Sequence, residues 1–113
     1  MNKLSTEAEF RDAVQSEGVT VAVFKTTWCP DCHFIDPFMP EVEEHYKGVI
    51  TFVEIDRDDL PDVCSELNIL GIPSFVAFKG GKELVRFVSK LRKSRDEIEQ
   101  FLERAVQVSA NLA

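Results

Sequence analysis

Two cysteines separated by two residues are the part of the sequence best suited to chemistry. Cys29 and Cys32 lie in the segment Trp28-Cys29-Pro30-Asp31-Cys32, directly after an apolar, β-branched segment. Residues three apart share one face of a helix, so the two sulfurs can close a small ring. If Cys29 is the N-cap, Pro30 takes the first helical position, where its missing N–H costs nothing. The spacing therefore predicts a pair that cycles between dithiol and disulfide.

A helix start also distinguishes the two sulfurs. The unpaired N–H groups of the first turn and the helix dipole stabilise a thiolate at Cys29, and the thiolate is the reactive form. Asp31 opposes this effect, because it brings a like charge close to the thiolate. Cys32 lies one turn into the helix. We therefore predict that Cys29 is the nucleophile and Cys32 the resolving thiol that breaks a mixed disulfide.

Two other interpretations of the pair compete with a redox role. A structural zinc site needs four ligands, commonly from two C-x-x-C pairs. The remaining candidates, Cys64, His33 and His45, form no second pair. Inert core cysteines are the other interpretation, which Trp28 and Pro30 at a helix start disfavour. We expect neither a metal nor a cofactor.

Length and composition limit the possibilities further. The 113 residues predict one domain spanning 1–113, and the mix of 44 % hydrophobic and 29 % charged residues is ordinary for a globular protein. No apolar run is long enough for a spanning helix, and residues 1–7 lack a signal-peptide pattern, so cytoplasm is the expected location. The net charge of −7 disfavours nucleic acid and acidic membrane surfaces as partners. Size and charge together favour a monomer.

The charge is unevenly distributed. Residues 31–66 contain eleven acids and two bases, whereas residues 79–95 contain seven bases and one acid. The simplest interpretation is two solvated faces of opposite sign. The stretch from Lys90 to Arg95 also belongs to a loop expected near the cysteine pair. Positive charge there would favour a Cys29 thiolate and attract anionic partners.

The pattern of apolar residues predicts elements in the order α-β-α-β-α-β-β-α. A helix begins with a capping box at Thr6 and ends at Gly18, and the last helix begins with a similar box at Ser94. The other expected elements are apolar segments of strand or helix length, bounded by Gly or Pro. They are a strand at 19–24, a helix at 30–46 kinked by Pro37, a strand at 49–55, a short helix at 59–67 and strands at 75–78 and 84–88. Residues 108–113 are expected to fray.

The connections between these elements predict the sheet. Helices between the early strands imply right-handed parallel crossovers. Gly80-Gly81 predicts a tight hairpin and therefore an antiparallel pair. The expected fold class is α/β, with a central mixed β-sheet flanked by helices on both faces.

At this point the sequence resembles the thioredoxin family over about residues 5–107. The resemblance depends on Trp28-Cys29-x-x-Cys32, on Pro37 five residues after Cys32, and on three further segments in the family's order. These segments are Val53-Glu54-Ile55-Asp56, Gly71-Ile72-Pro73 and Phe78-Lys79-Gly80-Gly81. The Cys-Pro-Asp-Cys version is similar to thioredoxin-related proteins that carry that motif.

The resemblance implies a thioredoxin fold with a cis Ile72–Pro73 bond in a loop against the Cys29 sulfur. It implies that Trp28, Ile72 and Pro73 flank the substrate groove, where an extended substrate segment pairs with the backbone before the proline. It also implies disulfide-containing proteins or small disulfides as substrates, and a thioredoxin reductase-type electron donor.

Three positions depart from the family pattern. A buried Asp commonly lies six residues before the first cysteine and moves protons to and from the resolving thiol, and Val23 stands at that position. The lysine that partners this Asp aligns with Phe52, and a glycine of the groove aligns with Val88. We therefore expect Asp31, or water near it, to accept the Cys32 proton.

Two residues outside the motif have less specific interpretations. His33 could tune the thiols, although a solvated surface position is the simpler expectation. Cys64 is expected to be a small buried hydrophobic residue, with a regulatory or intermolecular disulfide as the alternative.

The sequence thus favours a thiol–disulfide oxidoreductase that works through a Cys29–Cys32 dithiol cycle. The alternative from another class is a thioredoxin-like binding module. Such a module would use the groove for protein contacts and carry a pair that only senses redox state or is inert.

Overall fold

The computed structural model describes residues 1–112 and folds them around one five-stranded sheet. The strands are β1 (Asn2–Leu4), β2 (Val19–Lys25), β3 (Ile50–Asp56), β4 (Ser74–Lys79) and β5 (Lys82–Phe87). The helices are α1 (Glu7–Val14), α2 (Pro30–Ile35), α3 (Met39–His45), α4 (Pro61–Glu66) and α5 (Arg95–Ala110).

The sheet is mixed, as the sequence predicts. Its strand order is β1-β3-β2-β4-β5. Strands β1 and β2 run parallel to β3, whereas β4 runs antiparallel to both β2 and β5. The parallel strands β2 and β3 are connected through helices α2 and α3. The antiparallel strands β4 and β5 are connected through the tight turn at Gly80-Gly81. Both glycines have positive φ, the backbone conformation that such a hairpin needs.

Two apolar cores cover the two faces of the sheet. Because side chains alternate along a strand, β2 contributes Val21 and Val23 to one core and Ala22 and Phe24 to the other. Helices α2, α3 and α5 pack on the first face, and α1 and α4 pack on the second. The prediction of helices on both faces is confirmed.

Strand β1 is the element that the sequence analysis missed. It has three residues, of which only Leu4 is buried, so it shows no apolar pattern of its own. It forms because its backbone pairs with β3, where Leu4 lies opposite Ile55. Lys3 adds weak ion pairs to Asp56 and Asp59, each at 3.8 Å.

The helix expected at 30–46 is two helices rather than one kinked helix. Pro37 cannot donate a backbone hydrogen bond and crowds the preceding turn, so α2 ends at Ile35. Tight i to i+3 bonds at Asp36 and Phe38 follow. Helix α3 then restarts at Met39, with Pro40 in its first turn, where proline is tolerated.

The outer helices begin as predicted but end elsewhere. Both expected capping boxes are present, Thr6 with Glu9 and Ser94 with Glu97. Helix α1 ends at Val14 instead of Gly18, because the carbonyls of Val14 and Ser16 accept N–H groups of the β4–β5 turn, each at 2.8 Å. Helix α5 continues to Ala110, so the first three residues of the tail expected to fray, 108–110, are helical. The end of that tail, Ala113, lies outside the described residues.

Gly71 marks the closest approach of two loops beside the cysteine pair. A Cβ at this position would lie 2.2 Å from the Ser89 carbonyl oxygen and 2.7 Å from the Lys90 Cα. Only glycine permits this contact between the 70–73 and 88–94 segments.

Substituting Gly71→Ala should therefore push these two loops apart. We expect the free energy of unfolding to fall by about 1–3 kcal/mol, the usual cost of overpacking a filled site. Gly18→Ala is the matched control, since its Cβ would have only the Ser16 hydroxyl at 3.9 Å as a neighbour. Urea titration measures both variants, and equal stabilities would contradict the close contact.

Candidate functional site

The cysteine pair lies where β2 ends and α2 begins. Cys29 is the N-cap of α2, and its sulfur accepts the Cys32 backbone N–H at 3.2 Å. Pro30 occupies the first turn, as predicted, and Cys29 is 5 % exposed. The Cys32 N–H is shared between the Cys29 sulfur and the Cys29 carbonyl, which accepts it at 3.1 Å, and its donation to the sulfur favours negative charge there.

The loop before β4 closes the other side of the Cys29 sulfur. The Ile72–Pro73 peptide bond is cis, and the Cys29 thiol donates to the Ile72 carbonyl at 3.8 Å. The Ser74 hydroxyl donates to the Gly71 carbonyl, which holds the turn at the start of β4. Both expectations for this loop, the cis bond and the contact with Cys29, are confirmed.

Cys32 is far less accessible than its partner. It has no exposed surface, and burial together with a hydrogen bond to Cys29 raises the pKa of its thiol to about 12. The backbone of Thr26 and the charge of Lys25 act in the opposite direction. At neutral pH, Cys32 is therefore a neutral thiol that must lose a proton before it can attack a disulfide.

The position at which the family resemblance implies a buried acid is apolar here. Val23 has no exposed surface and packs in the core under α2 and α3. In the strand register its partner on β3 is Glu54, and Phe52 lies opposite Val21 in the same core. Val88, the third departure, packs against the other core.

An ionic cluster joins β2 to α2 one turn below Cys32. The Lys25 ammonium contacts Asp36 at 2.7 Å and Glu54 at 3.6 Å. Burial alone would lower the pKa of Lys25, but the hydrogen bond to Asp36 and the charge of Glu54 outweigh it, so the pKa is raised. A cavity of about 200 Å³ is lined by these side chains and by Thr26. The sequence analysis missed this cluster. A signal was available, because Lys25 lies two positions after Val23 and residues two apart on a strand share one face of the sheet.

Asp31 is held on the outer side of α2. Its carboxylate accepts a hydrogen bond from the Arg92 Nε at 3.0 Å, and the Arg92 guanidinium lies 4.4 Å from the centre of the Phe34 ring. Arg92 belongs to the predicted basic stretch. The expectation that this stretch approaches the cysteine pair is therefore confirmed.

Most of the positive charge in this stretch is already paired or buried. Arg92 binds Asp31, Arg95 binds Glu41 and Glu99, and Lys93 is buried. Lys90 is the exposed lysine of the stretch. The net field available to attract anionic partners is thus smaller than the residue count predicts.

Trp28 projects next to the cysteine pair. Its ring is 60 % exposed, and its indole N–H donates to Asp58 at 2.7 Å. Arg57 lies 5.7 Å from the ring centre. These contacts hold a large apolar surface at the rim of the site. The sequence analysis identified Trp28 but not its partners, since they follow β3 and only the sheet brings them close.

His33 and Cys64 lie where the sequence predicted them. His33 is an exposed residue whose ring nitrogens contact Asp36 and the Thr27 carbonyl. Cys64 is 3 % exposed in the core beneath α4. Among the described residues, no cluster of three His, Cys, Asp or Glu has the geometry to hold a metal ion. No helix in that part of the chain is long and apolar enough to cross a membrane.

A mixed sheet with a dithiol at a helix N-terminus and a cis-proline loop against the first sulfur defines a class, the thiol–disulfide oxidoreductases. The thioredoxin family profile matches residues 2–104. The chain belongs to the thioredoxin family, and it is an oxidoreductase of the protein-disulfide reductase type.

Individual comparisons agree with this assignment. Human thioredoxin is 35 % identical over 89 residues, which cover 77 % of this chain and 84 % of its own length. Thioredoxin H2 of Arabidopsis thaliana is 33 % identical over 94 residues, which cover 83 % of this chain and 68 % of its own length. Plasmodium falciparum thioredoxin superposes with a TM-score of 0.82 at 23 % identity, covering 92 % of this chain and 98 % of its own. The family implies disulfide substrates and reductase partners.

The buried thiol of Cys64 predicts a loss of stability in alkali. Burial raises its pKa from the ordinary 9.0 to about 11, so the unfolded chain loses this proton first as the pH rises. The contribution of Cys64 is complete below pH 9 and is lost between about pH 9 and 11, with a magnitude of about 1–3 kcal/mol.

Urea unfolding of the Cys29–Cys32 disulfide form measures this loss without interference from the other two thiols. Cys64→Ala is the matched control, and its free energy of unfolding should fall less steeply over the same pH range. Tyr46, whose pKa burial raises to about 12, contributes equally to both proteins. Identical slopes would contradict the assignment to Cys64.

Proposed function

We propose that the chain reduces disulfides in two exchange steps. The Cys29 thiolate attacks one substrate sulfur and expels the other as a thiolate, which leaves a mixed disulfide. Cys32 then attacks the Cys29 sulfur and releases the second substrate thiol. Two electrons pass to the substrate, its two sulfurs take up protons, and Cys29 and Cys32 are left as a disulfide. The hydrogen bond from the Cys32 N–H to the Cys29 sulfur carries this proposal, because it favours charge on Cys29 before the attack.

The burial of Cys32 supports its assignment as the resolving thiol. A thiol with a pKa near 12 does not compete with Cys29 for substrate and attacks only when the mixed disulfide lies beside it. Its proton needs an acceptor. We assign this role to Asp31, or to water that Asp31 holds, because Asp31 lies between the two cysteines in the sequence and its side chain is 32 % exposed.

The substrate groove in this proposal is formed by Trp28, Ile72 and Pro73. Trp28 supplies exposed apolar surface, and Ile72 is half-buried with its carbonyl at the Cys29 thiol. An extended substrate segment would pair with the backbone before Pro73, a form of strand addition. Disulfide-containing proteins fit such a groove, and small disulfides need only the Cys29 end of it.

The wider setting of the proposal follows the family. The electron donor is of the thioredoxin reductase type, and the location is the cytoplasm, where a reducing thiol pool keeps the dithiol form available. Residues 1–113 act as one domain and as a monomer. One sheet carries both cores, which supports the single domain. No separate cofactor, nucleic acid or membrane enters the scheme.

Single cysteine substitutions test the order of the two exchange steps. Cys29→Ser should abolish reduction of a protein disulfide. Cys32→Ser should complete one attack and accumulate a mixed disulfide through Cys29, because no resolving thiol remains. Intact-mass measurement of each variant after reaction with an oxidised substrate detects the adduct, and Cys64→Ser serves as the control with full turnover.

The same mass measurement in defined thiol buffers reports the reduction potential of the wild-type pair. A value near about −270 mV is expected for a disulfide reductase of this family. An adduct on Cys32 instead of Cys29, or a pair that forms no reversible disulfide, would contradict the proposal. The second result would favour a binding module with an inert pair.

Asp31→Asn tests the proton acceptor. We expect resolution of a preformed Cys29 mixed disulfide to slow about tenfold or more, within the usual range for loss of a general base. Glu44→Gln is the control, because it removes one exposed acidic charge elsewhere on the chain. Stopped-flow fluorescence of Trp28 follows the step, and an unchanged rate would remove Asp31 from the mechanism.

A further inference from the structure

Lys93 is a buried lysine that the dithiol cycle described above does not use. Lys93 is 1 % exposed and lies at the end of the loop between β5 and α5. The ammonium donates to the Ser89 carbonyl at 3.1 Å, to the Ser89 hydroxyl at 3.2 Å and to the Leu91 carbonyl at 3.0 Å. It also lies 5.1 Å from the centre of the Phe87 ring. Three hydrogen bonds and an aromatic face thus surround a single buried cation.

These bonds link the loop to the nucleophile through one continuous set of contacts. The Ser89 carbonyl that accepts from Lys93 is also the group packed against the Gly71 Cα. Gly71 precedes Ile72, whose carbonyl accepts the Cys29 thiol. The Lys93 ammonium therefore holds the Ser89 carbonyl against the loop with Gly71 and Ile72, and this loop contacts Cys29 on its other side.

The charge of Lys93 has no carboxylate partner at contact distance among residues 1–112. The nearest acids are committed elsewhere, since Asp31 binds Arg92 and Glu97 closes the Ser94 capping box. All hydrogen-bond acceptors of the ammonium are neutral. A buried cation without a counter-ion is unfavourable, so any anion that forms nearby is stabilised by it.

The active-site thiols supply such an anion. Burial lowers the pKa of Lys93, and the groups that act against this effect are Asp31, Glu97 and the two thiols, Cys32 and Cys29. Arg92 and Lys90 are the other charges on the same loop, and both side chains lie on its exposed side. Lys25 is also enclosed but is paired with Asp36 and Glu54. The positive charge near the pair that is both shielded from water and without a carboxylate partner among the described residues is therefore that of Lys93.

We infer that Lys93 is a positioning residue of the dithiol site. Its buried ammonium holds the 88–94 loop against the cis-proline loop and stabilises the Cys29 thiolate through the field of an unpaired charge. The inference rests on the proposed role of Cys29 as the attacking thiolate. According to this inference, Lys93, which is remote in sequence from the cysteines, supplies part of the control over the charge of the thiols. The apolar Val23 does not provide that control.

The test compares Lys93→Met with Lys90→Met. Methionine keeps most of the length and apolar volume of the lysine and removes the charge. Lys90 lies on the same loop, is exposed and loses the same charge. The rate of Cys29 carbamidomethylation by iodoacetamide is followed by mass spectrometry from pH 5 to 10. We expect Lys93→Met to slow the reaction about three- to tenfold on the acid side of the profile and to leave the alkaline plateau unchanged, because only the thiolate fraction changes.

A second readout of the same variants is the equilibrium of the Cys29–Cys32 pair with glutathione. Loss of thiolate stabilisation favours the disulfide, so Lys93→Met should have the more negative reduction potential. Lys90→Met should stay within about twofold of wild type in both measurements, since exposed charges are screened. A Lys93→Met protein that is less stable but keeps the wild-type pH profile and potential would overturn the electrostatic role.

A measurement on the unmodified protein covers the case in which Lys93→Met does not fold. Coupling between two charges is reciprocal, so the Cys29 thiolate must in turn favour protonation of Lys93. NMR titration of the lysine side-chain carbons should give a lower Lys93 pKa in the disulfide form than in the dithiol form. Equal titrations in the two forms would overturn the inference.

These outcomes are separate from a failure of the proposed function. If Cys29 is not the reactive thiol, wild-type protein shows no Cys29 labelling and the Cys29→Ser variant retains activity. If Cys29 reacts normally and its pH profile does not respond to Lys93→Met, only the role of Lys93 is lost.

Discussion

The hydrogen bond from the Cys32 N–H to the Cys29 sulfur is the contact on which the rest of the site depends. It exists because β2 ends at a buried edge and α2 begins there with a cysteine in place of the usual oxygen cap. The Cys32 N–H, which the Cys29 carbonyl also accepts, then acts on a sulfur instead of a hydroxyl. Everything else at the site either restricts access to that sulfur or adjusts the charge around it.

Restricted access comes from three segments that are distant in sequence. The loop with the cis Ile72–Pro73 bond covers one side of Cys29, Trp28 borders another, and the 88–94 loop supports the first from behind. The only residue type that allows this last packing is glycine at position 71, where any Cβ would collide with the Ser89 carbonyl. Shape at this site is therefore controlled by backbone contact as much as by side chains.

The charges around the pair are distributed differently from the pattern expected for the family. Val23 removes the acid from the centre of the sheet, and the ionisable groups lie at the margins of α2 instead. Lys25, Asp36 and Glu54 form a cluster on one side. Asp31 and Arg92 form a pair on the other, and the cation of Lys93 is buried behind them. Because burial strengthens electrostatic interactions, the enclosed Lys25 and Lys93 act more strongly on the thiols than exposed charges would.

The amino-acid sequence by itself determined the elements with a strong local signal. The C-x-x-C motif after an apolar strand, the two capping boxes and the Gly80-Gly81 turn each specify local geometry, and all have the predicted structure. The order of the elements and their connections were sufficient to predict helices on both faces. These features depend on residues within a few positions of one another, so a local reading is adequate.

Only the tertiary structure decided the remaining features. Strand β1 has no pattern until β3 pairs with it, and only the strand register places Glu54 beside Val23. The pairing of Arg92 with Asp31 joins residues 61 positions apart, and the burial of Lys93 depends on how the 88–94 loop folds over Gly71. The sequence marks these residues only as charged. Whether a charge lies in water or against the thiol pair is a property of packing between distant segments, and no local pattern encodes it.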